Sequence, residues 1–209
     1  MEKFEKLRLS LRYYLQGAAD QNKAFLVVLE AFEFAMGYHT GLRKDGATPE
    51  FMHQIETVLY MRTLLSGLMY PAETLAAMLL HDVAEDYDVP VELIREKFGE
   101  RIAHAVWRLT KKFRGQKKPA QQYFAEMLDC PIAPLCKGAD RINNQQSMQG
   151  VFTREKQLAY IQETEEHILP MLKQARRRYP SQENALMNIY FVLKAQIEFI
   201  KRMQLEEAV

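Results

Sequence analysis

The chain has 209 residues, a formal net charge of +1 and 48% apolar residues. That length suits one domain with a full hydrophobic core. The near-neutral balance excludes a disordered tail and a protein that grips nucleic acid by bulk electrostatics.

The N-terminus, MEKFEKLRLSLRYYL, carries charges throughout and lacks the apolar core of a secretion signal. No stretch approaches the length of a membrane span, so no membrane association is expected. Cys130 and Cys136 are spaced for neither a CxxC redox pair nor a zinc knuckle, which points to reduced thiols and a cytoplasmic protein.

Apolar residues recur at three- and four-residue spacing, as in Phe25, Val28, Leu29 and Phe32, while strand-like alternation is nearly absent. The fold class is therefore all-α. In chain order the periodicity predicts about ten helices, over 3–15, 21–37, 49–66, 71–82, 90–97, 100–112, 119–128, 132–148, 154–178 and 182–206. Pro49, Pro71 and Pro90 are placed just inside helix starts, and Gly99 marks a stop. Lys111–Pro119, KKFRGQKKP, is the most loop-like interior segment, a solvated basic loop. Pro170 should kink the helix that contains it. The stripe Leu186, Ile189, Leu193, Ile197 and Ile200 predicts core packing, with a homodimer seam as the alternative. No linker or repeat divides the chain, so residues 1–209 form one domain.

The stretch LLHDVAED, residues 79–86, runs an apolar helix into one imidazole and three carboxylates, a grouping that calls for a compensating cation. His81 and Asp82 are adjacent, so they can share an ion only near a helix end. His53, near the start of a preceding helix, and Asp140, in LCKGADRINN, offer further ligands. Two imidazoles and two carboxylates make a mixed N/O site suited to Mn²⁺, Fe²⁺ or a similar divalent ion rather than to structural zinc.

The pattern His53, His81-Asp82, Asp140 resembles the HD superfamily of metal-dependent phosphohydrolases, whose fold is a helical bundle. RKDG at 43–46, HDVAED at 81–86, FGERIAHAVWRLTK at 98–111 and KGADRINN at 137–144 narrow the resemblance to the hydrolase domain of the RelA/SpoT alarmone enzymes, over residues 37–166. The chain is similar to the small, stand-alone alarmone hydrolases. The resemblance implies a small-molecule nucleotide substrate and hydrolysis of the 3′-pyrophosphate of guanosine tetra- or pentaphosphate, with Mn²⁺ as cofactor. It also implies that Glu85 and Asp86 are catalytic, orienting or deprotonating water. Arg43, Lys44, Asn144 and Ser147 are then substrate contacts, and Lys111 a phosphate contact. His39 becomes a pocket-wall residue, and His104 and His167 structural ones.

The chain departs from the family in two places. Asn143-Asn144-Gln145-Gln146 stands where HNMR is usual. The segment from Arg43 to His53 is one residue longer than RKxGxPYxxHP, with Gln54 in place of the final Pro. These departures keep two alternatives in view, an HD phosphohydrolase for a deoxynucleotide or dinucleotide phosphate, and a non-catalytic nucleotide sensor.

Overall fold

The computed structural model describes residues 2–206. The chain begins with α1 (Glu2–Gln21), which buries Leu11, Leu15 and Ala19 at four-residue spacing, and continues with α2 (Leu26–Tyr38), which buries Val28, Ala31, Phe32 and Ala35. Burial of Ala19 carries α1 well past the predicted end at residue 15. After an irregular segment come α3 (Met52–Arg62) and α4 (Pro71–Leu80). Pro71 occupies the first turn of α4, as the sequence predicts, where its missing N–H costs nothing. Pro49 does not start a helix: it bridges to Leu42 across the turn that precedes α3.

Helix α4 is the centre of the bundle. Thr74 and all six residues from Leu75 to Leu80 are buried, and α2, α3, α7 and α9 pack around it. Such a helix, apolar on every face, is stable only inside a core. It ends at Leu80, and a short helix, α5 (Val83–Tyr87), follows directly. Asp88 closes α5 at φ 52°, a left-handed conformation that Asp tolerates better than most residues.

The next elements are α6 (Val91–Phe98) and α7 (Glu100–Leu109), separated by Gly99 at φ 87°, so the predicted stop is correct and its glycine is required. Pro90 lies one residue outside α6, at its N-cap. The predicted basic loop is a hairpin of β1 (Lys112–Phe113) and β2 (Gln116–Lys117). Its two turn residues, Arg114 and Gly115, are at φ 49° and 82°, the positive-φ pair of a tight hairpin turn.

Helices α8 (Ala120–Met127), α9 (Ala133–Ser147) and α10 (Arg154–Glu163) follow. The predicted helix over 154–178 is two helices, because a π-helical turn, Thr164–Ile168, joins α10 to α11 (Leu169–Arg178). Pro170 cannot donate to a carbonyl one turn back, and the widened turn directly before it absorbs that loss. The last helix is α12 (Glu183–Glu206). Its stripe, Leu186, Ile189, Leu193, Ile197 and Ile200, is buried within the chain, so the core reading holds and these residues are not a dimer seam. Helix α12 packs on α9 and α11. Gly138 permits the close approach to α9, since a Cβ there would run into Ile189. Among the described residues no helix is long and apolar enough to cross a membrane.

Candidate metal centre and active site

The break after α4 gives His81 and Asp82 a common target. His81 caps the C-terminus of α4 and Asp82 precedes α5; both keep right-handed helical dihedrals, and at this junction their side chains lean toward one point. His81 Nε2 lies 3.0 Å from Asp82 Oδ2 and 3.3 Å from His53 Nε2, which comes from the first turn of α3. Asp140, midway along α9, places Oδ1 3.2 Å from His53 Nε2 and 3.8 Å from His81 Nε2. Asp82 thus sits nearer His81, and Asp140 nearer His53.

These spacings and donors fit a divalent ion. Bonds of about 2.0–2.2 Å from imidazole nitrogen and carboxylate oxygen put adjacent donors roughly 3 Å apart. Both imidazoles also present the required lone pair. His81 Nδ1 is 2.7 Å from the Met78 carbonyl, and His53 Nδ1 is 2.7 Å from Asn143 Oδ1. Each ring therefore has an acceptor for a proton on Nδ1, so Nε2 is the atom it can offer to a metal. His53, His81, Asp82 and Asp140 could hold a metal together.

Electrostatics agree. Burial disfavours charge on His81, yet Asp82 and Asp140 outweigh it and raise its pKa to about 10. Burial likewise opposes ionisation of Asp140, but Lys137, with Nζ 2.9 Å from Oδ2, and the two imidazoles hold its pKa well below the carboxylate range. The two carboxylates draw in positive charge from every available source.

A cavity of about 870 Å³ opens over this cluster. Glu85 and Asp86 both border it, on α5, in different states. Glu85 Oε2 accepts hydrogen bonds from the backbone N–H groups of Lys111, at 2.7 Å, and Lys112, at 3.3 Å. The Asp86 carboxylate is hydrogen-bonded to none of the described residues. Desolvation by the cavity walls, then the charges of Asp82, Glu85 and Glu50, raise its pKa to about 6.

The predicted substrate contacts all border the same cavity. Arg43 donates from Nη2 to Ser147 Oγ at 3.0 Å, and Lys44 lies 5.3 Å from the centroid of Phe152. Asn144 is expected to meet substrate alone, yet its Nδ2 donates to Asp140 Oδ1 at 2.6 Å, so it also touches the candidate metal cluster. Lys111 turns Nζ onto Glu163, which Arg141 also binds. His39 forms part of the wall, with Nδ1 3.3 Å from Tyr87 Oη, and burial lowers its pKa to about 4. His104 accepts from Arg108, and His167 stacks on Phe124, both away from the cavity wall.

Four residues to which sequence reasoning gave no role at the metal site contact the cluster or its supports. Lys137 stands one helical turn before Asp140, a spacing that could have flagged it. Gln54 donates to Asp82 Oδ2 at 3.3 Å, and Asn143 and Glu56 stand in line behind His53. The departures from HNMR avoid the main cavity. Asn143 turns to His53, Gln145 donates to Thr164, and Gln146 borders a separate cavity of about 430 Å³.

Residues 31–166 match the HD domain family. The chain belongs to that family. This HD domain is 33% identical over 172 residues, 80% of its length, to a guanosine-3′,5′-bis(diphosphate) 3′-pyrophosphohydrolase of Aquifex aeolicus, and 28% identical over 176 residues, again 80%, to the bifunctional (p)ppGpp synthase/hydrolase SpoT of Escherichia coli K12. It covers 23% and 24% of those proteins, so it spans about a quarter of the length of these curated relatives. A solved structure of a metazoan ortholog of SpoT, described as hydrolysing ppGpp and acting in starvation responses, superposes with a TM-score of 0.61. That match is 22% identical and covers 78% of this chain and 93% of the other, a likeness of fold.

Proposed function

We propose that this HD domain hydrolyses the 3′-pyrophosphate of guanosine tetra- or pentaphosphate in the cytoplasm, releasing GDP or GTP and pyrophosphate. Residues 1–209 act as one domain. His53, His81, Asp82 and Asp140 would hold the divalent cation, Mn²⁺ by family resemblance. The observation that carries the reading is the single cavity shared by these four donors, by Glu85 and Asp86, and by the cations Arg43, Lys44, Lys111 and Lys137. An acidic, metal-ready cluster in a cavity that also holds four cations suits a polyphosphate ester. The named activities of the relatives supply the substrate class.

The reaction adds water across the 3′-ester linkage. The water oxygen bonds to phosphorus, the bond from phosphorus to the 3′ oxygen breaks, and that oxygen gains a proton. A bound divalent cation would supply Lewis-acid neutralisation of phosphoryl charge and make a coordinated water more acidic. Asp86 takes the proton, since a carboxyl with a pKa of about 6 exchanges protons readily near neutrality. Glu85, anchored by the Lys111 and Lys112 amides, orients the water with its remaining edge. Arg43 offers a planar face for the purine, Asn144 and Ser147 line the pocket, Lys44 and Lys111 meet phosphate oxygens, and Lys137 stays paired with Asp140. The HNMR departures lie off the main cavity, whereas the lengthened 43–53 segment and Gln54 border it, so the choice among nucleotides rests on the relatives' activities.

The test is a panel. Metal-reconstituted protein is incubated with ppGpp, pppGpp, deoxynucleoside triphosphates and dinucleotide phosphates, and the products are identified by mass. GDP or GTP with pyrophosphate supports the proposal. Orthophosphate or a nucleoside from another substrate points to a different phosphohydrolase, and binding without turnover points to a sensor.

A further inference from the structure

The hydrogen-bond chain behind His53 has a fixed direction. Asn143 Nδ2 lies 2.8 Å from Glu56 Oε2, and Asn143 Oδ1 lies 2.7 Å from His53 Nδ1. An ionised carboxylate can only accept, so the amide must turn its NH₂ to Glu56 and its oxygen to His53. With the amide reversed, two acceptor oxygens would oppose each other at the Glu56 contact. The NH₂ would then face Nδ1, and the imidazole proton would be forced onto Nε2, the atom that faces His81 and Asp140.

The two candidate histidine ligands are prepared differently. His81 is oriented by the carbonyl of Met78, a backbone acceptor that cannot turn round. His53 depends on a side chain whose two ends have opposite character, and Glu56 decides which end it meets. Asn143 is 6% exposed, so bulk water is a poor substitute for its oxygen. It borders the smaller cavity and not the one over the metal cluster, so it acts through His53 rather than on the nucleotide.

We infer that Asn143, polarised by Glu56, is a positioning residue that presets His53 for metal by fixing the proton on Nδ1 and the lone pair on Nε2. This inference rests on the reading of His53, His81, Asp82 and Asp140 as a divalent-metal site. The order of donors and acceptors carries the effect, which permits a reciprocal exchange. In the double variant Glu56→Gln/Asn143→Asp, the new amide at 56 donates to the new carboxylate at 143, and that carboxylate accepts from His53 Nδ1. The charge moves by one residue while the order is preserved.

The experiment titrates Mn²⁺ into the metal-stripped full chain by calorimetry, with the thermal midpoint of each stripped protein measured alongside. Asn143→Ala and the near-isosteric Asn143→Leu should each weaken Mn²⁺ binding by about 10- to 100-fold, the usual effect of removing a partner of a ligating histidine. The double variant should bind more tightly than either, although it carries one more substitution. Should the alanine variant fail to fold, the leucine and double variants decide the question. Wild-type affinity in the folded single variants, or a double variant no better than they are, would overturn the inference while leaving the metal site standing. A wild-type chain that takes up no Mn²⁺ would overturn both.

Discussion

Glu85 Oε2 accepts a 2.7 Å hydrogen bond from the backbone N–H of Lys111, so one carboxylate of the HDVAED segment also holds the chain where α7 gives way to the β1–β2 hairpin. Its neighbour Asp86 makes no such bond among the described residues. The two acids should therefore separate in experiment. Glu85→Ala should lower stability by about 1.5–3 kcal/mol, the worth of a hydrogen bond to a charged group. Asp86→Ala should leave stability unchanged or improve it. Glu85→Gln keeps an acceptor for Lys111 and should lower turnover with little loss of stability. Denaturant unfolding of the metal-free proteins, run beside turnover assays, makes the comparison.

The raised pKa of Asp86 sets a pH dependence. A carboxyl near 6 in the folded protein and near 3.8 unfolded binds more protons when folded across that interval. Its contribution to the stability of the metal-free protein therefore falls as pH rises from about 4 to 6. The catalytic sign is opposite. Asp86 accepts a proton only when ionised, so kcat should fall as pH drops through about 6 while metal occupancy is held constant. Asp86→Asn should lose this limb and about 10²- to 10⁴-fold in turnover. A limb that persists unchanged in the variant would assign it to another group.

Arg43 and Asn144 should fail differently. Arg43 donates to Ser147 and hydrogen-bonds to no described member of the metal cluster, so Arg43→Ala should raise KM with metal content unchanged. Asn144 also donates to Asp140, so Asn144→Ala should lower kcat and weaken metal binding. Each lost substrate contact should cost about 1–3 kcal/mol. Saturation kinetics with metal analysis on both variants distinguishes the two patterns.

Gly138 ties the last helix to the site. Its missing Cβ lets α9 meet Ile189 of α12, and it precedes Asp140 by only two residues. Gly138→Ala should cost about 1–3 kcal/mol by overpacking in the wild-type chain and less in an Ile189→Ala background, where the obstructing Cγ2 is gone. Thermal unfolding of the two variants checks the direction.

What the sequence made legible was governed by local chemistry. The metal donors lie in a short apolar-to-acidic transition and two helical stretches, and their residue types restrict the ion before any distance is known. Helices such as α2 and α12 announced themselves by periodicity, and α4 by Pro71 at its start. The end of α4 near His81-Asp82 was expected, but the short helix α5 beyond it was not, because VAEDY is too short to show an apolar repeat. The KKFRGQKKP hairpin hid behind its charge, with a positive-φ arginine that composition does not betray. The Glu56–Asn143–His53 chain was illegible for another reason. Its members lie 87 and 90 residues apart, and only folding brings them into line.

His81→Ala and Asp82→Ala each remove a donor from the candidate cluster and should lose bound metal along with nearly all hydrolysis while the bundle remains folded. Excess Mn²⁺ should raise the thermal midpoint of wild type, by about 2.7 kcal/mol of stabilisation at 100 times Kd, and should not do so for either variant. Retained metal stoichiometry in both would remove them from the ligand set.

The most direct measurement follows pyrophosphate released from ppGpp by the full chain as it is stripped of metal, reloaded with Mn²⁺ and stripped again. The expected result is one pyrophosphate per GDP formed, turnover that appears on reloading and vanishes on chelation, and no turnover from His81→Ala under any of these conditions. Mn²⁺-loaded, folded protein that leaves ppGpp intact, or that releases orthophosphate in place of pyrophosphate, would contradict it.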